Sequence, residues 1–231
     1  MASTPQRPAP PQQNPLGWFE RKLRGEPGRR SRFHTYRGDL IAPGEWPRVP
    51  RQVWRGLRDR LPAEPWIAPP ATRWLRRRLD PSWDALELGA GNSTVWLARR
   101  VGTLISVESD AAWAERVREE VERARIDGWR LERVPIAEMP AFVATLPDRS
   151  LDLILVDHTD IPGTTRADSI EAAREKVRPG GILVLDDSDR ARYRPVDELL
   201  AAWERRRFAG MKARPVGIAV ETTIYTRPGE A

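Results

Sequence analysis

Five carboxylates in this sequence stand in or just after short apolar runs. Glu87 lies within Ala85-Leu-Glu-Leu88, and Glu108 closes Leu104-Ile-Ser-Val107. Asp157 closes Leu151-Asp-Leu-Ile-Leu-Val156, and Asp186 with Asp187 closes Ile182-Leu-Val-Leu185. If these runs are neighbouring parallel strands, the five acids meet at one crevice. Such a crevice repels a pyrophosphate and tolerates a cation, a sulfonium among them. Glu108, about twenty residues after the first run, suits a ribose diol. Asp157, Asp186 and Asp187 together present the oxygen donors that Mg²⁺ or Mn²⁺ takes. Next to Asp157 stands His158, one of two histidines. Its imidazole titrates near neutrality and suits a general base.

The stretch that must position these groups is Asp84 to Ala98. It reads as a buried strand, a glycine turn and a helix. Gly89 and Gly91 allow a sharp turn and a close ligand approach, with Ala90 between them. Asn92, Ser93 and Thr94 suit an N-cap, and Val95, Trp96, Leu97 and Ala98 follow as the apolar face. Strand, Gly-x-Gly and helix N-terminus together make a nucleotide cradle. A dinucleotide fingerprint requires a third glycine, and Thr94 stands in that place.

Glu87-Leu-Gly-Ala-Gly-Asn-Ser-Thr94 resembles motif I of the class I S-adenosylmethionine-dependent methyltransferases, and Ile105-Ser-Val-Glu108 resembles their ribose-binding strand. The resemblance spans roughly residues 80–227. It is nearest to a group of bacterial methyltransferases that share Gly-x-Gly-Asn-Ser-Thr (89–94), Leu-Asp-Asp/Asn-Ser-Asp-Arg (185–190) and Glu-Thr-Thr-Ile (221–224). It implies methyl transfer from S-adenosylmethionine to a small molecule, at oxygen. Glu87 would face the methionine amino group, directly or through water. Gly89, Ala90 and Gly91 would pass beneath the cofactor, followed by Asn92, Ser93 and Thr94. Glu108 would hold the ribose, Asp157 would border the cofactor, and Pro135 to Glu138 would flank adenine. Catechol- and caffeoyl-CoA-type O-methyltransferases hold a divalent metal on an Asp after strand four and an Asp-Asn pair after strand five. Asp157 and Asp186 match that set, but Asp187 replaces the Asn, so a metal-free site is the preferred expectation. There His158 takes the acceptor's proton, and Asp157 or Asp187 orients it. Arg190, Arg192 and Arg194 would suit an anionic substrate, and Tyr193 an aromatic one.

From Asp84 onward the pattern alternates strand and helix, which predicts a Rossmann-like, doubly wound α/β sheet over residues 81–231. The strands fall at 84–88, 103–108, 130–134, 151–156 and 181–186. The helices fall at 93–101, 111–125, 139–146, 167–178 and 195–207, with Gly180-Gly181 as a helix stop. Ile218 to Thr226 predicts a final antiparallel strand, paired with a partner near 208–216. Apolar spacing predicts two helices ahead of the sheet, at 52–61 and 70–79.

Residues 1–15, with five prolines, predict a disordered tail. Residues 16–80 form a basic segment in which Leu16, Phe19 and Leu23 share a helical face. Residues 1–80 hold 17 Lys or Arg against 7 Asp or Glu. A basic segment of this kind admits a non-catalytic binding module as one alternative function. The glycine turn admits an NAD(P)-linked oxidoreductase as another. No aromatic-interleaved RNA motif appears, so nucleic acid is not the expected partner. The chain has no cysteine, no run long enough to span a membrane and no apolar leader. The expectation is a cytoplasmic protein; the sequence leaves its oligomeric state open.

Overall fold

The computed structural model describes residues 30–56, 64–212 and 217–229. The tail 1–15 and the face of Leu16, Phe19 and Leu23 lie outside the described residues. One sheet carries seven strands: β1 (Asp84–Leu88), β2 (Thr103–Glu108), β3 (Trp129–Arg133), β4 (Leu151–Val156), β5 (Val177–Asp186), β6 (Glu204–Lys212) and β7 (Ile218–Thr226). Their order is β3-β2-β1-β4-β5-β7-β6. The first five are parallel, and β7 runs antiparallel between β5 and β6. β1 pairs with β2 on one side and β4 on the other. The strand order reverses there, and ligands of open α/β sheets bind at such a point, outside the carboxyl ends of the strands.

Among the described residues, seven α-helices surround the sheet: α1 (Val49–Gly56), α2 (Pro69–Arg76), α3 (Asn92–Ala98), α4 (Ala111–Ala124), α5 (Met139–Ala144), α6 (Arg166–Ala173) and α7 (Arg194–Leu199). The central strands are buried on both faces, which is why they read as continuous apolar runs. Leu86, Ile154, Leu183 and Leu185 pack with Met139, Val143, Ile170 and Val196 on one face. Ala85, Leu153, Leu155 and Val184 pack with Leu75, Trp96 and Leu97 on the other.

Two expectations fail for a common reason. The helix expected at 167–178 ends at Ala173, and β5 begins at Val177, so Gly180 and Gly181 lie inside a strand. The β4–β5 register shifts between Leu151 and Leu153. At that irregularity Gly180 takes φ +78°, and a Cβ on Gly181 would press on Asp152 O at 3.0 Å. The pair therefore serves a bulge and is not a helix stop. The helix expected at 195–207 stops at Leu199, and Glu204 to Arg207 open β6. Their charged side chains look helical in isolation, but pairing with β7 fixes them as an exposed edge strand.

The N-terminal segment is tied to the sheet. Ile41, Met211 and Ala219 form a small core with Phe33, Val49 and Val53 packed against it. Ala219 N donates to Arg32 O at 2.8 Å. Tyr36 N donates to Asp189 Oδ2 at 2.6 Å, and Arg37 reaches Ser188 O at 3.1 Å and Glu221 at 3.1 Å. This arm therefore packs against the segment just past the carboxyl end of β5. Arg37, Arg73 and Arg76 pair with Glu221, Glu45 and Glu64 inside the chain. Part of the basic segment's charge is thus taken up by folding. No helix among the described residues is long and apolar enough to cross a membrane.

Candidate active site

A crevice of about 670 Å³ opens at the carboxyl ends of β1, β2 and β4. The turn Gly89 to Ser93 forms its floor, with Glu108 on one side and Asp157 and His158 on the other. Trp66, Trp113 and Lys212 complete the wall. A second hollow of about 310 Å³ shares Ser109 with it and is walled by Val134, Pro135, Ile136 and Ala137. Glu138 does not line it.

The turn is held from beneath. Gly89 N and Ala90 N both donate to Val107 O, at 2.9 and 3.1 Å. Trp113 Nε1 donates to Ala90 O at 2.7 Å. Only Gly89 demands glycine: its φ is +98°, and a Cβ there would meet His158 N at 2.7 Å. Gly91 is extended, and a Cβ would find only Trp113 at 3.6 Å. Of the two glycines expected to allow the turn, only Gly89 thus depends on its missing side chain. Gly91, not Asn92, Ser93 or Thr94, is the N-cap of α3, and its N–H donates to Thr94 Oγ1 at 2.9 Å. Asn92 and Ser93 line the crevice; Thr94 is buried beneath it.

Glu87 departs from the expected role. It is wholly buried and accepts from the hydroxyls of Ser93, Thr94 (2.6 Å) and Ser106 (2.8 Å). Both of its oxygens brace the turn from below, and it meets the crevice only through Ser93. Burial pushes its carboxyl up to about 7, against the three hydroxyls that favour the charged form. A carboxyl raised in the folded state stabilises the fold below its ordinary value of 4.5 and loses that contribution as pH rises through about 7. Relative to Glu87→Gln, the wild type should lose roughly 2 kcal/mol between about pH 5 and about pH 7.5. Urea midpoints of both chains at the two pH values check this. A difference that does not change with pH would mean that Glu87 stays charged throughout.

Glu108 lines the crevice. Its Oε1 accepts from Ser109 N at 2.7 Å and Asp110 N at 2.9 Å. Its Oε2 has no protein donor among the described residues.

The remaining acids form one cluster with two cations that sequence reasoning missed. Arg166, at the start of α6, lies 2.9 Å from Asp157 and 3.8 Å from Asp186. It also donates to His158 O at 2.7 Å and Asp186 O at 2.7 Å. Lys212, the last residue of β6, contacts Asp186 Oδ2 and lies 3.0 Å from Asp187 Oδ1. Thr222 adds a donor to Asp186 at 2.8 Å, and Arg190 one to Asp187 at 2.7 Å. Burial pushes the Asp186 carboxyl up. Burial opposes ionisation of Asp187 too, but Lys212, Arg166 and Arg190 outweigh it and hold that carboxyl well below the usual range. Burial alone would lower Lys212; Asp186 and Asp187 reverse this and raise it above its ordinary value.

This donor set does not fit a divalent metal. Each of the three carboxylates already bonds a fixed guanidinium or ammonium, and those cations stand where a metal would have to enter. The described residues hold no group of three or more potential ligands arranged for a metal ion. A signal for Lys212 did exist in the sequence. It is one of three lysines among 39 basic residues, in a chain that otherwise uses arginine.

His158 is also corrected. The ring is buried, with Nδ1 2.9 Å from Thr159 O and Nε2 2.9 Å from Ser169 Oγ on α6. A carbonyl only accepts, so Nδ1 carries the proton and Nε2 receives the serine O–H. The basic lone pair therefore faces α6 and not the crevice, and burial lowers the imidazole pKa further. Arg192 and the Tyr193 hydroxyl both bond Asp160, and Tyr193 is buried. Neither lines the crevice.

The fold, with its crevice at the switch point, is matched by known proteins. A family model described as a methyltransferase domain covers residues 86–188. That span runs from β1 to just past β5 and contains every carboxylate of the site. That stretch of the chain is matched as a methyltransferase domain. No curated protein matches the chain. Among solved structures, a candidate O-methyltransferase from Klebsiella pneumoniae superposes with TM-score 0.58 at 21% identity, over 81% of this chain and 91% of that one. Precorrin-6y C5,15-methyltransferase from Geobacter metallireducens does so with TM-score 0.53 at 14% identity, over 68% and 86%. A candidate caffeoyl-CoA O-methyltransferase from Staphylococcus aureus gives 0.50 at 12%, over 67% and 79%. At these identities the likeness is one of fold. The methyltransferase domain here differs from a bare sheet by its arm, residues 30–56, which the family match does not include.

Proposed function

We propose that this chain transfers the methyl group of S-adenosylmethionine to an oxygen of a small molecule. The observation that carries the reading is the crevice at the β1–β4 switch point, floored by Gly89 to Ser93 and flanked by the unpaired oxygen of Glu108. The residues present fit the cofactor. Gly89 lets the floor lie against the Asp157–His158 backbone, where any Cβ would clash, Glu108 offers the ribose an acceptor, and the apolar hollow at Val134 to Ala137 suits adenine. Asp157 borders the same space, and Asn92 and Ser93 line it. When bound, the sulfonium supplies an electrophilic methyl group. The protein's own part is to hold donor and acceptor in line, with water excluded from the reacting atoms.

Within this reading Asp157, Asp187 and His158 act as positioning residues. Asp157 and Asp187 fix Arg166 and Lys212, and His158 fixes the chain between β4 and α6. The arm packed past the carboxyl end of β5 restricts the acceptor side and favours a small substrate. The conflict between a carboxylate-lined crevice and a dinucleotide's pyrophosphate argues against NAD(P).

Calorimetry with S-adenosylhomocysteine and with NAD⁺ tests the reading. The first should bind and the second should not. Glu108→Ala removes a charge-assisted acceptor worth roughly 1.5–3 kcal/mol and should weaken S-adenosylhomocysteine binding about tenfold or more. Unchanged affinity would remove Glu108 from the site, and tight NAD⁺ binding would overturn the reading.

A further inference from the structure

Among the described residues, Lys212 is the one lysine that borders the crevice. Its ammonium has three N–H donors. Two go to Asp186 and Asp187, and the third meets no protein acceptor among the described residues. The carboxylates behind it prevent the ammonium from withdrawing, so a donor with fixed charge is held at the edge of the reaction space. We propose that Lys212 binds the methyl acceptor through an anionic oxygen, and that the acceptor is a carboxylate or a hydroxyl acidic enough to bind as its oxyanion. This rests on the methyl-transfer reading and names its substrate class.

Three observations lead there. First, Lys212 cannot be the base, because its two carboxylate partners hold it in the charged form. Second, the other nitrogen base at the site, His158, has its lone pair on Ser169. With neither nitrogen able to take a proton and Asp157 held by Arg166 at 2.9 Å, an oxyanion is favoured because it needs no base. Third, the charges are laid out in order across the sheet. Glu108, which would repel an anion, stands at β2. Asp157 at β4 is countered by Arg166 at 2.9 Å. Lys212 reaches in from β6, at the far side. The cationic cofactor is thus drawn to one end of the crevice and the anionic acceptor to the other.

The step balances without a proton transfer. The anionic oxygen gives its electron pair to the methyl carbon as the carbon–sulfur bond breaks, and sulfur keeps the pair of that bond. One negative and one positive charge disappear together. Lys212 stays an ammonium throughout and orients the oxygen by a charge-assisted hydrogen bond.

Because the chain has only Lys22, Lys176 and Lys212, isotope labelling of lysine gives three side-chain NMR signals. Lys212→Arg removes one and assigns it. The wild-type, full-length chain is titrated with benzoate and with benzamide, with and without saturating S-adenosylhomocysteine. Benzoate should move the Lys212 signal saturably and leave the other two in place. Benzamide, of the same shape but neutral, should bind at least about tenfold more weakly. A Lys212 signal that benzoate leaves unmoved, or that both probes move equally, overturns the proposal. Failure of S-adenosylhomocysteine to bind in calorimetry overturns the methyl-transfer reading instead, while the benzoate titration of the free chain still reports on the anion site.

Discussion

Arg166→Met should lower the stability of the fold by about 3–5 kcal/mol. Arg166 is buried, and its guanidinium lies between Asp157 and Asp186 while donating to three backbone carbonyls, those of Asp157, His158 and Asp186. Methionine fills the volume of the stem but leaves Asp157 without its counter-charge, Asp186 with Lys212 alone, and the carbonyls without this donor. Removing one partner of a buried pair strands the other, and that penalty exceeds the pair's own worth. Arg178 is the control. It makes two shorter contacts, to Asp84 at 2.8 Å and Asp152 at 2.5 Å, but its side chain is 38% exposed. Water and salt screen that pair, and Arg178→Met should cost about 0–1 kcal/mol. Urea midpoints with unchanged slopes measure both. Equal losses for the two arginines would show that burial does not set the strength of the Arg166 network.

The contrast also explains what the sequence could and could not reveal. β1, β2 and β4 were legible because strands buried on both faces leave no choice of residue: Leu86, Leu88, Leu153 and Val156 must be apolar wherever a parallel sheet is covered twice. Gly89 was legible because a positive φ allows little else. Lys212 and Arg166 were not, because their meaning comes from pairing. Nothing local links Lys212 to Asp186, 26 residues earlier; only the placement of β7 between β5 and β6 brings β6 alongside. The partner strand expected near 208–216 contains Lys212, but nothing in its own residues says which acids its side chain meets. His158 failed differently. Its position after β4 was right, but a side chain at a crevice can turn either way, and Ser169 on α6 decides the matter. Glu87 likewise sits where the motif places it, yet Ser93, Thr94 and Ser106 supply enough donors to keep it below the floor. The sequence thus encodes where the site is more plainly than which atoms face it.

Gly89→Ala should be severely damaging to both fold and site. Two penalties combine at that position. The backbone φ of +98° is a conformation that residues with a Cβ rarely adopt, and holding one there costs about 1–3 kcal/mol. The added carbon would also stand 2.7 Å from His158 N and 2.8 Å from Asp157 C, inside contact distance of backbone that cannot rotate away. β1 and β4 are hydrogen-bonded neighbours up to Leu88 and Val156, so relief requires the two strand ends to part. That movement would break the bond from Asp157 N to Leu88 O and tilt the floor of the crevice. A total loss of about 3 kcal/mol or more is expected, in the range reserved for specific steric failures. Binding of S-adenosylhomocysteine should fall by roughly a hundredfold, because the turn can no longer lie flat beneath the ligand. Gly91→Ala, two residues away on the same turn, separates this cause from general intolerance. Its backbone is extended and its nearest neighbour is the edge of Trp113 at 3.6 Å, so the change should cost less than about 1 kcal/mol. Denaturant midpoints and calorimetry on the two variants decide the point. If Gly89→Ala proves no worse than Gly91→Ala in either measurement, the close approach of β1 and β4 is not what shapes this site.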